Sequence, residues 1–148
     1  MTDSSQTAPT PASGLYAERT GTREYIGRNA DGAEVAIGIG PGMFSPGELL
    51  KLALATCQGL SADHRIAREL GADFDAVVRC ETVKNEEEER YESFQVEIVC
   101  DFSSLDEDAR ADLEAKARRS INRYCTVGHT LTTSADTALT FLDANEEK

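Results

Sequence analysis

Short alternating runs of apolar and polar residues open the chain and predict strands separated by turns. Within LYAERTGTREYIGRNADGAEVAIGIG, Asp31 and Gly32 stand between two such runs, which is typical of a β-hairpin. Glycine and proline then predict a loop over residues 40–47. Inside that loop, Ser45 and Pro46 are the residue types preferred as the cap and the first position of a helix. We therefore expect a group of strands followed by a helix that starts near Ser45.

The predicted helix, SPGELLKLALATCQGLSADHRIARELG, is apolar on almost every side in its first half. A helix with so few polar positions is covered on most of its surface, either by a sheet or by a second chain. Gly71 is a typical C-terminal stop for it. Cys57 lies in the middle of the apolar half and is followed by Gly59, although glycine costs a helix about 1 kcal/mol relative to alanine. We therefore expect another group to approach the helix closely here.

The second half of the chain predicts two strands, a helix and a closing strand. The runs FDAVVRCETVK and YESFQVEIVCDF flank the acidic loop NEEEER, and the alternation in the second run predicts one buried face. Ser104 and Glu107 fit a capping box at the start of the next helix, whose apolar residues recur every four positions. A short segment begins at Cys125, and TALTFLDA predicts the last strand. The order β-β-β-α-β-β-α-β predicts an α+β fold with a largely antiparallel sheet.

Length and composition predict one domain with a flexible start. A chain of 148 residues is typical of a single domain, which we expect to span residues 15–148. Residues 1–14 are rich in Ser, Thr, Pro and Ala and are expected to form a disordered tail. They show neither the basic nor the apolar region of a secretory signal, so a cytoplasmic location is expected. Thiols in that compartment stay mostly reduced.

The net charge of −12 excludes two classes of partner. Nucleic acids and anionic membranes both require clustered lysine and arginine, so we expect neither to bind this chain. No apolar run approaches the roughly 20 residues needed to span a bilayer.

The four cysteines fall into two groups. Cys80 and Cys100 are in phase with apolar strand neighbours, and a free cysteine in that position usually packs as a small hydrophobic residue. Cys57 lies within a helix and Cys125 directly follows one. The residues alone leave open whether Cys57 is an inert core residue or a reactive thiol.

The two histidines raise a competing hypothesis of a metal site or a nucleophilic thiol enzyme. His64 follows Cys57 by seven residues, and His129 follows Cys125 by four. Seven helical residues span about 10 Å, which is too far for a direct hydrogen bond between Cys57 and His64. The chain has neither a CxxC motif nor zinc-type spacing, so no metal or other cofactor is expected.

Two segments of the chain are similar to the signatures of a known family. SPGELLKLALATC resembles the first signature of the OsmC/Ohr family of osmotically inducible and organic hydroperoxide resistance proteins, and RYCTVGHTLT resembles the second. The order of predicted elements matches this family from about Leu15 to Leu142. The resemblance implies the OsmC-like fold, with a long central helix that bears a cysteine, in an intertwined homodimer.

The same resemblance implies a thiol peroxidase that reduces organic hydroperoxides. Cys57 would attack the peroxide and become a sulfenic acid, and Cys125 would resolve it as a Cys57–Cys125 disulfide. An external dithiol, of the lipoyl type in this family, would then restore both thiols. The alternative is an OsmC-like small-molecule-binding or stress protein without efficient peroxidase activity.

A reactive Cys57 would require a nearby cation to favour its thiolate. Related enzymes use an arginine from the N-terminal strands, oriented by a glutamate at the start of the cysteine helix. Arg23 fits better by its spacing to the predicted hairpin turn, and Arg28 is the second candidate. Glu48 is the matching glutamate, although the hydroperoxide-specialised branch has its glutamate one residue earlier, where this chain has Gly47.

Overall fold

The computed structural model describes residues 14–145, which group into two compact units. One unit comprises the described residues up to Pro46 together with those from Asp136 onward, and the other comprises Gly47–Ala135. Apart from Gly14, the predicted disordered tail lies outside the described residues. The elements are β1 (Tyr16–Gly21), β2 (Glu24–Arg28), β3 (Glu34–Ile37), α1 (Pro46–Leu70), β4 (Ala76–Asn85), β5 (Arg90–Cys100), α2 (Glu107–Tyr124) and α3 (Thr126–Thr132).

The first unit contains an antiparallel sheet in the order β1-β2-β3. Arg28 of β2 pairs with Glu34 of β3 across the predicted hairpin turn. Gly32 adopts a positive φ of 87° in this turn, a conformation that costs glycine little. The Asn29 side-chain oxygen accepts the backbone N–H groups of Asp31 and Ala33 at 3.0 and 2.9 Å. The predicted hairpin is therefore confirmed.

The predicted closing strand is wrong. Residues 134–143, where that strand was predicted, have no regular secondary structure. The short segment that begins at Cys125 forms the helix α3. Leu139, Phe141 and Leu142 are exposed in this segment. An apolar alternation favours a strand, but a strand persists only where a neighbour supplies backbone hydrogen bonds. Among the strands that the structure describes, none pairs with this segment.

The second unit is built on the long helix α1 and the antiparallel hairpin β4–β5. Helix α1 starts at Pro46, and it ends where the Gly71 N–H donates to Ala67 O at 2.8 Å with a Gly71 φ of 100°. Both predicted ends are confirmed. A Cβ atom at Gly59 would lie 3.0 Å from Val78 Cγ1, so this glycine allows strand β4 to approach the helix, as expected.

The core of the second unit lies where α1 meets α2 and β5. Ala62, Ile66 and Leu113 are buried there. The partly buried side chains packed against them come from both helices, the hairpin and the connections: Leu70, Phe74, Ile98, Cys100, Phe102, Leu105, Ala117 and Ile121. The predicted four-residue stripe on α2 is thus one side of this core. The α+β fold with antiparallel sheets and a long helix is confirmed.

The predicted capping box of α2 is wrong. The helix begins at Glu107, and Asp106 is its N-cap, whose carboxylate accepts the Ala109 N–H at 2.7 Å. Ser104 lies in a turn before the helix, where the Leu105 N–H donates to Phe102 O at 3.0 Å. A carboxylate at this position also interacts favourably with the positive end of the helix dipole.

Within residues 14–145, no helix is long and apolar enough to cross a membrane.

Candidate thiol active site

Two of the four cysteines, Cys57 and Cys125, come together in the second unit. Cys57 lies midway along α1. Cys125 forms the junction of α2 and α3, where its N–H donates to Ile121 O at 2.9 Å and its Sγ accepts the Gly128 N–H at 3.3 Å. Both cysteines are free thiols. The Cys57 thiol lies close enough to the Cys125 thiol to raise its pKa.

The two thiols differ in exposure and in how easily they lose a proton. Cys125 is 1% exposed, whereas Cys57 is half-buried. Burial raises the pKa of the Cys125 thiol, the Gly128 N–H lowers that pKa, and Cys57 raises it again through its hydrogen bond and charge. A thiol with a raised pKa keeps its proton at neutral pH and can donate it to a neighbouring thiolate. Cys125 is therefore suited to be the hydrogen-bond donor of the pair.

Cys57 opens onto a shallow depression of about 460 Å³. Its other lining residues are Leu60, Ser61 and His64 of α1 and Tyr124 at the end of α2. The Ser61 hydroxyl donates to Cys57 O at 2.7 Å. The depression thus offers an apolar wall, formed by Leu60 and Tyr124, and a polar side with a hydroxyl and an imidazole. A small reactive molecule in this depression would be next to Cys57.

The sequence did not predict Tyr124 as a site residue, and its position next to Cys125 was the one available signal. The guanidinium carbon of Arg123 lies 5.3 Å from the centroid of the Tyr124 ring. Such cation–π contact holds the two side chains together on the surface.

His64 shares the helix face of Cys57, as its spacing of seven residues indicated. It lines the same depression, and no hydrogen bond between its ring and the thiol is present within the described residues.

The metal hypothesis has no support in the geometry of the described residues. Residues 14–145 contain no group of three or more His, Cys, Asp and Glu side chains arranged to hold a metal ion. His129 Nε2 lies 2.6 Å from Asn122 O, so this ring connects α3 to the end of α2. Its role in the structure is that of a helix contact.

The other two cysteines lie on the covered face of the β4–β5 hairpin. Cys100 packs against the buried core, and Cys80 is half-buried on the same strand face as Val78. Burial raises the pKa of both thiols, and for Cys80 the charge of Lys51 offsets part of that rise. The prediction that these two cysteines are packing residues agrees with these positions.

The predicted arginines belong to the first unit, and Glu48 belongs to the second. Arg28 forms ion pairs with Glu18 and Glu34, each at 3.0 Å, and the hydrogen bond to Glu34 raises its pKa further. Arg23 is exposed in the β1–β2 turn with a φ of 59°. Glu48 lies in the first turn of α1, nine residues before Cys57. That separation is about 13 Å along the helix axis, so Glu48 does not touch the thiol.

The family of the chain follows from its sequence. The sequence model of the family described as OsmC-like protein matches residues 40–140, which is more than half of the chain and includes Cys57 and Cys125. The chain belongs to the OsmC-like protein family.

Relatives of this OsmC-like protein are found in mycobacteria. It is 42% identical over 131 residues to an uncharacterized protein of Mycobacterium tuberculosis (strain H37Rv) and, equally, to one of Mycobacterium bovis. In each case the match covers 87% of this chain and 96% of the relative. The similarity therefore extends over nearly the full length of both proteins.

Solved structures confirm the fold of this OsmC-like protein. A protein of Aquifex aeolicus matches with a TM-score of 0.64 and 20% identity, over 82% of this chain and 88% of that one. A Psychrobacter arcticus protein, whose name refers to osmotic stress and detoxification, matches with a TM-score of 0.62 and 18% identity, over 81% and 88%. At these identities the likeness concerns the fold.

Proposed function

We propose that this OsmC-like protein is a thiol-dependent peroxidase that reduces organic hydroperoxides. The observation that carries the proposal is the interaction of the Cys57 and Cys125 thiols beside an open depression. Membership in the OsmC-like protein family supports the same function, because the chain's two signatures resemble those of the OsmC/Ohr family of hydroperoxide resistance proteins. The two features together favour redox chemistry over a purely structural role for Cys57.

In the proposed reaction, Cys57 is the attacking residue and Cys125 the resolving one. The Cys57 thiolate attacks the terminal oxygen of ROOH, the O–O bond breaks, and the alkoxide RO⁻ takes a proton and leaves as ROH. Cys57 becomes a sulfenic acid, so sulfur is oxidised by two electrons and the peroxide is reduced by two. The Cys125 thiol then displaces water from the sulfenic acid, and a Cys57–Cys125 disulfide forms. The exposures and the raised pKa of Cys125 support this division of roles.

An external dithiol closes the cycle. Its first thiolate attacks the disulfide to give a mixed disulfide, and its second thiol completes the exchange and releases both cysteines as thiols. A lipoyl-type dithiol is the reductant that the family resemblance favours. We place the reaction in the cytoplasm, where such dithiols are kept reduced.

A homodimer is part of the proposal. Phe141 is 91% exposed, and Leu139 and Leu142 in the same segment are also exposed. Exposed large apolar side chains that lie close together mark surfaces that bind another protein. We expect light scattering to give twice the chain mass of 16.0 kDa, and Phe141→Asp to return the mass to that of one chain.

Peroxide consumption by the purified protein tests the function. The reduced protein with lipoamide as dithiol should consume cumene hydroperoxide, and Cys57→Ser should abolish the activity because the attacking sulfur is gone. Cys80→Ser is the matched control, since Cys80 packs in the hairpin and should be dispensable. Full activity of Cys57→Ser would contradict the proposal. A binding protein without peroxidase activity would show no turnover in any form.

Mass spectrometry after one equivalent of peroxide tests the pairing. The expected product is a single intramolecular Cys57–Cys125 disulfide, because these two side chains interact in the reduced protein. In Cys125→Ser the sulfenic acid should persist and react with dimedone. A disulfide through Cys80 or Cys100 would contradict the assignment of Cys125.

A further inference from the structure

An apolar crevice separate from the thiol depression lies between α1, β5 and α2. Its volume is about 240 Å³, and Ile66, Val96, Leu113 and Ala117 are among the residues that line it. Four polar or charged side chains also line it: Gln58 of α1 and Arg110, Glu114 and Arg118 of α2. Cys57 and the other residues of the thiol depression do not appear in this lining.

The charged and polar side chains along this crevice differ in whether they have a hydrogen-bond or ion-pair partner. Arg110, Glu114 and Arg118 recur every four residues on α2, and all three line the crevice. Arg110 Nε donates to Glu114 Oε1 at 3.0 Å, and its guanidinium carbon lies 4.8 Å from the Phe102 ring centroid. Among the described residues, neither the Arg118 nor the Gln58 side chain has a hydrogen-bond or ion-pair partner. One cation and one amide are thus available beside an apolar space.

We propose that this crevice binds a short aliphatic monocarboxylate. The alkyl chain would pack against the apolar lining, and the carboxylate would pair with Arg118 and accept a hydrogen bond from Gln58. Arginine suits this partner because its guanidinium can form two parallel hydrogen bonds to a carboxylate. A singly charged group is favoured over a phosphate because Glu114 lies on the same rim and repels added negative charge.

The volume sets the length of the ligand. A group the size of a water molecule occupies about 30 Å³. The crevice of about 240 Å³ therefore accommodates roughly eight groups of that size, such as CH₂ groups. It is smaller than the pockets of about 300 Å³ or more that are typical of drug-sized ligands. The eight carbons of octanoate therefore match the space, with the two carboxylate oxygens left at the rim near Arg118, and 1-octanol provides the same chain without the charge.

NMR titration with octanoate tests the proposal on the full-length protein. Millimolar octanoate should shift the methyl signals of Ile66, Val96 and Leu113, and 1-octanol should bind more weakly. Arg118→Gln should weaken octanoate binding about tenfold, the loss expected for one charged hydrogen-bonded contact, and leave 1-octanol binding unchanged. Arg119→Gln is the matched control, because Arg119 is adjacent on α2 and does not line the crevice.

The outcomes separate this proposal from the peroxidase. Cys57→Ser should bind octanoate as the unchanged protein does, whatever its activity. The proposal is overturned if octanoate causes no shifts, if Arg118→Gln and Arg119→Gln weaken binding equally, or if the shifts centre on Cys57 and Tyr124. Shifts of the Ile66, Val96 and Leu113 methyl signals that depend on protein concentration without octanoate would overturn it in favour of a second copy of the chain seated in the crevice. Ala117→Leu, which narrows the crevice, should also reduce binding, with circular dichroism as the check that it folds.

Discussion

The hydroxyl group of Tyr91 occupies the space into which a side chain at Gly47 would extend. A Cβ atom at position 47 would overlap the Tyr91 oxygen and lie 3.2 Å from its Cζ atom. The ring is held by its neighbours, since Phe94 packs edge-on at 5.6 Å and Lys51 Nζ lies 5.1 Å from its centroid. Helix α1 therefore cannot carry a glutamate at position 47 without displacing Tyr91. Its first acidic residue is Glu48, one position later.

This contact predicts an unusual effect of Gly47→Ala. Replacing glycine by alanine within a helix normally stabilises it by up to about 1 kcal/mol. Here the added methyl group overlaps Tyr91, and we expect a loss of about 1–3 kcal/mol in the free energy of unfolding, as for other overpacked sites. The same substitution in a Tyr91→Phe background should cost less, because the overlapping oxygen is absent. Urea denaturation of the four proteins measures both effects, and a stabilising Gly47→Ala in the unchanged background would contradict the contact.

The N-cap of α2 makes a second prediction. Asp106→Ala should lower the free energy of unfolding by about 1 kcal/mol, because the Ala109 N–H loses its acceptor. Ser104→Ala is the control and should change stability little, since Ser104 lies in the preceding turn. Thermal or urea denaturation distinguishes the two caps. A larger loss for Ser104→Ala would restore the capping box that the sequence predicted.

The thiols should differ in their alkylation by iodoacetamide. Burial raises the pKa of Cys80, Cys100 and Cys125, so at neutral pH each has a smaller thiolate fraction than an ordinary cysteine. Because the thiolate is the reacting form, Cys57 should be labelled first at pH 7. The rates of the other three should keep increasing as the pH rises above the ordinary thiol value of about 8.5. Peptide mapping by mass spectrometry gives the order, and early labelling of Cys125 would contradict it.

The two arginine candidates can be separated by substitution. In its own sheet Arg28 is paired with Glu18 and Glu34, whereas no ion pair engages Arg23 among residues 14–145. On the proposal, taken from the family resemblance, that Arg23 favours the Cys57 thiolate, Arg23→Gln should slow the reaction of Cys57 with peroxide by about tenfold or more, because the thiolate loses its opposite charge. Arg28→Gln should mainly loosen the sheet, and a larger kinetic effect of Arg28→Gln would reverse the assignment.

The local signals in the sequence determined the starts, turns and ends of most elements. Ser45 and Pro46 placed the start of α1, Gly71 placed its end, and Asp31-Gly32 placed the hairpin. These features depend on backbone conformation and on hydrogen bonds between residues close in the chain, so a short stretch of sequence contains the information. The choice between Ser104 and Asp106 as the cap failed because both residue types can cap a helix and lie only two positions apart.

Contacts between distant residues were decided by the tertiary structure, although the family resemblance had already implied the pairing of Cys57 with Cys125. The sequence contained Cys57 and Cys125, but it was the packing of α1 against the junction of α2 and α3 that brought their thiols together. Tyr91 follows Gly47 by more than forty residues, so no local pattern relates them. The TALTFLDA segment has the residue alternation of a strand and yet forms none within the described chain. The physical reason is common to all three: a long-range contact depends on which surfaces the folded chain brings together, and the residues of one segment specify only their own side of it.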